Sequence, residues 1–206
     1  LAFLLAFASL VSASDKKHLE HIAKGDDYYR AFDNSSALLE YEQAYRLAPS
    51  DPEVLVRMIR IHNDIGRLLP WRSDSTKIWY GKALRYAEDF KEKFPDRAEA
   101  HFWMALAQGS LIPFMSTKEK LERGKEVAGY ARKAVEIDST FGPAYVILGI
   151  IYREAARLRW YERLIANVGF GGSLPGTIED SDRVLRKAID LNPNDLFAHY
   201  ELSRTY

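Results

Sequence analysis

One spacing limits what this chain can become: a small residue, an aromatic four positions on, another small residue three further, and a closing proline, as in Ala37, Tyr41, Ala44 and Pro49. The spacing returns with variations. Ala83, Ala87, Phe90 and Pro95 repeat it, Val127, Ala131, Ala134 and Ser139 repeat it with serine in the proline's place, and Leu185, Ala188 and Pro193 repeat it again. Residues three and four apart share one face of a helix, and proline ends one. Each run therefore predicts a helix whose seam is narrow enough for another helix to lie close. Gly25 and Tyr28 stand upstream of the first run, and Tyr145, Leu148, Gly149 and Tyr152 upstream of the last. At Gly25, Gly149 and their partner Ala37 a larger side chain would push the two helices of a pair apart.

This pairing resembles tetratricopeptide repeats, whose unit is about 34 residues. The resemblance implies an all-α, right-handed solenoid of antiparallel helix pairs over residues 17–206, in units of about 17–51, 52–97, 98–141 and 142–195, with a lone helix at 196–206. Local chemistry agrees with this register. Asp51 before Pro52 suits a cap followed by a first turn, and Gly142-Pro143 reads similarly. Ser116 with Glu119 is a capping box, and Thr177 with Asp180 a looser one. No alternating apolar-polar run bounded by turn residues competes, so strand is not expected.

The second, third and fourth units are longer than the first. Their extra residues include Gly66 to Trp71, Gly109 to Phe114 and Trp160 to Gly176. These stretches are apolar and aromatic, so they are expected to pack on something, as loops or lengthened helices. The lone helix carries Phe197, Tyr200, Leu202 and Tyr206 with no successor to cover them, and the natural protein is expected to continue.

Composition narrows the function classes. The 206 residues carry 29 Lys+Arg and 29 Asp+Glu, so the basic excess usual in a nucleic-acid binder is missing. Zero cysteine excludes disulfides, thiolate metal sites, a cysteine nucleophile and a lipid-bearing cysteine. Leu1 to Val11 is an uncharged apolar run followed by Ser12, Ala13 and Ser14, which is the pattern of a partial secretory signal over 1–13; the end of a membrane anchor is the alternative. Either reading places the rest of the chain outside the cytosol, exported or periplasmic, or on a membrane surface.

No catalytic or metal constellation is found. His18 and His21 lack the spacing of a zinc-binding helix, and Gly169-Phe170-Gly171-Gly172 lacks the Lys-Ser/Thr of a phosphate loop. The acidic turn Glu179-Asp180-Ser181-Asp182 favours a helix dipole. No cofactor and no metal are expected. By resemblance to the repeats, the concave face is lined by Arg60, Asn63, Phe102, Leu106, Val146, Ile150, Arg153, Tyr200 and Arg204. An apolar middle flanked by arginines suits an acidic peptide or an anionic amphiphile, unless the insertions fold back and fill it.

A narrower resemblance emerges at the third insertion. Trp160-Tyr161-Glu162-Arg163-Leu164-Ile165-Ala166, then Phe170, Pro175, Thr177, Glu179-Asp180, Lys187-Ala188 and Pro193 resemble the regulator of microtubule dynamics family. Phe102-Trp103, Ala105, Ala144 and Leu148-Gly149 also fit. The resemblance is specific over about 98–206 and generic before it; Ser181 departs from the family's alanine and Leu185 from its aromatic. It implies association with microtubules, spindle poles, mitochondria or endoplasmic reticulum. If the signal is real, it implies instead an exported bacterial relative sharing the fold alone. The reading is a non-enzymatic scaffold holding a peptide or partner helix in the groove, with a lipid or small apolar ligand module and a microtubule-associated regulator as alternatives.

Overall fold

The structure, a computed structural model, describes residues 2–158 and 176–206, with side chains from residue 16 onward. Every regular element among them is helical. The first compact unit, Leu1–Lys93, holds α1 (Ala2–Arg30), α2 (Asn34–Leu47), α3 (Pro52–Leu68) and α4 (Asp74–Lys93). The second, Phe94–Tyr206, holds α5 (Ala98–Leu111), a 3-10 turn (Ile112–Phe114), α6 (Thr117–Ile137), α7 (Gly142–Ala156), α8 (Ile178–Leu191) and α9 (Leu196–Ser203). The fold is an all-α solenoid of the tetratricopeptide type. Successive helices pair as hairpins, α1 with α2, α3 with α4, α5 with α6 and α7 with α8; α9 packs on α8 and α7.

The helix starts follow from local chemistry. Asp51 Oδ1 accepts the amide hydrogens of Glu53 (2.7 Å) and Val54 (3.2 Å) ahead of Pro52. Both capping boxes close, Ser116 with Glu119 and Thr177 with Asp180. Asp33 and Asp195 cap α2 and α9 in the same way. These bonds satisfy amides that have no partner within their own helix.

The small residues sit where a side chain from the paired helix presses in. A β-carbon at Gly25 would stand 2.4 Å from the Tyr41 ring, and one at Gly149 2.4 Å from Leu185 Cγ. What comes close is thus a side chain and not, as the spacing implies, a second backbone. The α3–α4 hairpin has the same socket at Gly66, where a β-carbon would meet the Tyr80 ring at 2.6 Å. Thr76, Tyr80 and Ala83 of α4 repeat the buried spacing of Ala37, Tyr41 and Ala44 in α2, and α4 then adds Ala87 and Phe90. The extra residues of the 52–97 repeat have become additional helical turns.

In the first unit Ile22, Ala37, Tyr41, Ala44, Val54, Met58 and Ile61 form the α1–α2–α3 core. In the second, Ala105, Val127, Ala131, Ile147 and Leu148 form one core, and Val146, Leu185, Ala188 and Ala198 another between α7, α8 and α9. Ala134 is buried between α5 and α7, whereas Tyr28, Pro49 and Pro193 stay exposed at helix ends. Tyr152 is half-buried against Gly176. Trp160 and most of the third insertion lie outside the described residues.

The insertions fare differently. Ile112 packs onto the α5–α6–α7 core and Leu111 to Phe114 are half-buried, but Trp71 and Leu68 remain exposed. The expectation that the first insertion packs on something holds at Gly66 and in part at Leu69 but fails at Leu68 and Trp71, because lengthening α3 and α4 carries their turn past the core.

The two departures at 181 and 185 both meet α7 at Gly149. Ser181 is fully buried; its hydroxyl donates to the Gly149 carbonyl at 2.8 Å and lies 3.2 Å from Thr205 Oγ1. Leu185 fills the space that glycine at 149 leaves. The small residue and the apolar knob on α8 thus read the same stretch of α7.

Candidate interaction faces

The nine lining candidates divide between the units, Arg60 and Asn63 in the first and the other seven in the second. On α3, Arg60 is half-buried and committed to its neighbours. Its guanidinium lies 4.2 Å over the Tyr29 ring, and Nη2 reaches Tyr41 Oη at 3.2 Å and Asp26 Oδ1 at 3.4 Å. Asp26 also accepts from Arg57 (Nη2, 2.8 Å) and from the Tyr41 hydroxyl (2.7 Å). Partial burial works against the Asp26 charge, but the bonds from Arg57 and Tyr41 outweigh it and hold its pKa below the usual carboxylate value. Tyr29 donates to Asp64 at 2.7 Å; burial, together with that carboxylate, pushes its phenol up to about 12. Asn63 is buried. Arg60 is a tie within this network of α1 and α3, although its buried Nε has no hydrogen-bond partner there.

In the second unit the apolar strip is mostly seam. Phe102 and Leu106 pack half-buried on the α5–α6–α7 core, Val146 is buried between α7, α8 and α9, and Ile150 packs against the same cluster. Val146 is closed off from solvent, whereas Phe102, Leu106 and Ile150 each keep part of their surface exposed, so the apolar strip narrows to these three half-buried side chains.

Arg153 is corrected more strongly. It is 1% exposed; Nη2 pairs with Glu201 at 2.8 Å and Nη1 donates to the Glu201 carbonyl at 3.1 Å. Glu201, itself buried, accepts also from Arg204 at 3.3 Å, and Arg157 donates to the Arg204 carbonyl at 2.7 Å. A buried charge needs such a partner. Its Nε also donates to Glu154 at 3.1 Å; Arg153 therefore locks α9 to α7, and it could reach a ligand only by leaving both carboxylates.

Tyr200 and Arg204 are the two candidates that stay exposed. The Arg204 guanidinium lies 5.6 Å from the Tyr200 ring centroid, and Phe197 stacks on Tyr200 at 6.5 Å. Leu196 and Tyr206 are exposed beside them, with the Tyr206 hydroxyl donating to Asp182 at 2.6 Å. Leu202 turns inward onto the Val146–Leu185–Ala198 cluster, leaving an aromatic face with a charged rim. A separate cleft between Tyr145 and α8 has most of its cations spoken for, since Arg183 pairs with Asp180 and Arg186 with Asp182.

The histidines have structural duties. His18 pairs with Asp51 at 3.3 Å and His21 with Glu40 at 2.6 Å. His101 and His199 reach the carbonyls of Pro95 and Pro193, each six residues back, as Tyr145 reaches Ser139. His62 is buried between Trp79 and Tyr86; desolvation drives its pKa down to about 4, against the pull of the Met58 carbonyl that its Nδ1 contacts at 2.7 Å. No group of three metal-ligating side chains occurs among the described residues. The Gly169–Gly172 stretch lies outside them.

The profile of the family described as regulator of microtubule dynamics protein 1-3 matches residues 21–206. The chain belongs to that family. The match extends into the first half, where residue spacing is generic to the repeats. The mouse regulator of microtubule dynamics protein 1 is 26% identical over 194 residues, covering 93% of this chain and 62% of the mouse protein. The rat regulator of microtubule dynamics protein 3 is 24% identical, covering 70% of this chain and 30% of its own. This family member thus spans about three fifths of the length of the mouse and bovine type 1 relatives. Among solved structures, a MamA protein superposes with a TM-score of 0.56 at 14% identity, over 93% of this chain and 82% of that one. A thermophilic TPR protein from Thermus thermophilus gives 0.57 at 14% identity, over 91% and 98%. These likenesses establish the repeat fold of the family member.

Proposed function

We propose that the chain is a non-enzymatic interaction scaffold that holds a peptide or partner helix on the exposed face of α9. The observation that carries this reading is the Phe197–Tyr200–Arg204 array: a stacked aromatic pair with a guanidinium beside it, with Tyr200 and Arg204 at positions where the repeat pattern lines its concave face. Tyrosine and arginine are the residues that most often dominate binding energy, and an aromatic face rimmed by charge suits a partner with apolar anchors and carboxylates. Capture from native extract, comparing wild type with the Phe197→Ala/Tyr200→Ala double variant, tests it. A partner whose recovery falls more than about tenfold in the variant, at unchanged thermal stability, is expected. A set of partners indifferent to both residues defeats the proposal.

A second reading follows from the family. The relatives are named for regulating microtubule dynamics, and a microtubule surface is a further partner for this scaffold. Co-sedimentation with taxol-stabilised microtubules, wild type against the same double variant, decides it; protein left in the supernatant argues against it. We also place the chain outside the cytosol or at a membrane surface, on the strength of the apolar run at 1–13. Fractionation of cells expressing the protein with its native N-terminus tests that placement, which a cytosolic pool contradicts.

A further inference from the structure

The first unit carries an exposed apolar tip that neither its core nor the α9 face explains. Leu68 closes α3 at 74% exposure, Trp71 stands in the following turn at 73%, and Ile78 lies on the second turn of α4 at 60%. Cations surround them. Arg72 and Lys77 are exposed and have no ionic partner among the described residues, and Arg67 is held by Asp64 at 3.8 Å. Asp74 is the single acid between residues 67 and 78, so this stretch has a surplus of positive charge in a chain that is neutral as a whole.

Its placement matters as much as its composition. The Tyr29–Asp64 hydrogen bond joins the last turn of α1 to the turn before the last of α3, so the α1–α2 and α3–α4 turns lie at the same end of the unit. Beyond that bond α1 stops at Arg30 while α3 continues to Leu68, about one further helical turn or ~5 Å. The α3–α4 tip is therefore a protrusion. Its neighbour adds to it: Phe32, in the α1–α2 turn, is 91% exposed. Phe32 and Arg72 share the same left-handed backbone, each with φ 60°, just ahead of the helix-starting Asp33 and Ser73. Four large apolar side chains on one end of a small unit would ordinarily be buried.

A protruding tip with tryptophan and leucine at its summit and arginine and lysine at its flanks matches the layering of a lipid interface. Indole favours the headgroup boundary, aliphatic side chains enter the acyl region, and cations meet anionic headgroups. We propose that the α3–α4 tip, with Phe32 beside it, docks the first unit onto the surface of an anionic lipid bilayer. The contact is peripheral, since no helix among the described residues is long and apolar enough to cross a membrane. It is independent of the α9 face, which lies in the other unit.

The absence of cysteine gives a clean test. A polarity-sensitive dye is placed on Ser75→Cys, exposed beside the tip, or on Glu88→Cys, exposed farther along α4, in the full chain. Vesicles are phosphatidylcholine alone or phosphatidylcholine mixed with phosphatidylserine, with and without nitroxide-labelled lipid. The expected result is a blue shift and nitroxide quenching at position 75 on the anionic vesicles, little change at 88, and binding to the neutral vesicles weaker by about tenfold or more. Leu68→Ser/Trp71→Ser and, separately, Arg72→Glu/Lys77→Glu should each weaken the position-75 signal by about tenfold or more while leaving the circular-dichroism melt in place. Vesicle binding through the apolar residues 1–11 leaves position 75 unquenched, and that result overturns the proposal. So does quenching that survives both double variants, or a tip that remains in water on anionic vesicles and is shielded only by a soluble protein.

Discussion

Replacing Glu201 with alanine isolates the claim that Arg153 serves the fold and not a ligand. The substitution leaves a guanidinium that cannot shed its charge at a position 1% exposed, facing the space its carboxylate filled. Glu154 stays on the Arg153 Nε at 3.1 Å, so the loss lies toward the lower end of the roughly 3–5 kcal/mol that breaking a buried ion pair costs, which for a unit of this size lowers its melting temperature on the order of 10 °C. The complementary change, Arg153→Met with Glu201→Leu, removes both charges and keeps most of the volume; such exchanges are often neutral or stabilising. The double-mutant cycle should therefore show strong coupling, with the double variant far more stable than Glu201→Ala. Urea denaturation followed by circular dichroism gives the free energies, and hydrogen exchange of the α7 and α9 amides locates the loss. A Glu201→Ala variant within about 1 kcal/mol of wild type would refute the reasoning, because it would mean that Arg153 finds water or swings out to a surface.

Other consequences follow from the same packing. Gly149→Ala should cost about 1–3 kcal/mol because its β-carbon meets Leu185 at 2.4 Å, and Leu185→Ala in the same chain should recover part of that loss; additivity in a denaturation cycle would contradict the socket. Ser181→Ala should cost about 1 kcal/mol, since the Gly149 carbonyl loses a side-chain donor at 2.8 Å, and an unchanged midpoint would argue against that bond. The buried His62 stays neutral in the fold down to about pH 4 but protonates near 6.5 once unfolded, so the unfolded chain binds more protons between these values and stability falls as pH falls through that window, by up to about 3 kcal/mol. His62→Phe should flatten the slope of stability against pH there, and an unaltered slope would assign it to other groups.

Much of the architecture is legible without coordinates because its signals are local. Caps at Asp51, Ser116 and Thr177 act over two or three residues, and the sockets at Gly25 and Gly149 are marked by small residues at fixed spacing. Gly66 eludes the same reading because the additional turns of α3 and α4 move the socket one stretch along the hairpin, out of the repeat register. The lining residues elude it for another reason. Spacing assigns Val146 and Arg153 to one face of α7, but whether that face meets solvent is decided by α9, whose Ala198, Glu201 and Leu202 cover it. Asn63 is lost to α3 packing in the same way. Trp71 reverses the error: an indole in an insertion reads as core, yet a turn raised past the core has nothing to bury it against.

The central claim is that partners meet this family member on α9. Hydrogen–deuterium exchange of the full chain, alone and saturated with a captured partner, tests it most directly. Protection concentrated at residues 196–206, with the α3 amides around Arg60 unchanged, is the predicted footprint. Protection around Arg60 with α9 unaffected would contradict it.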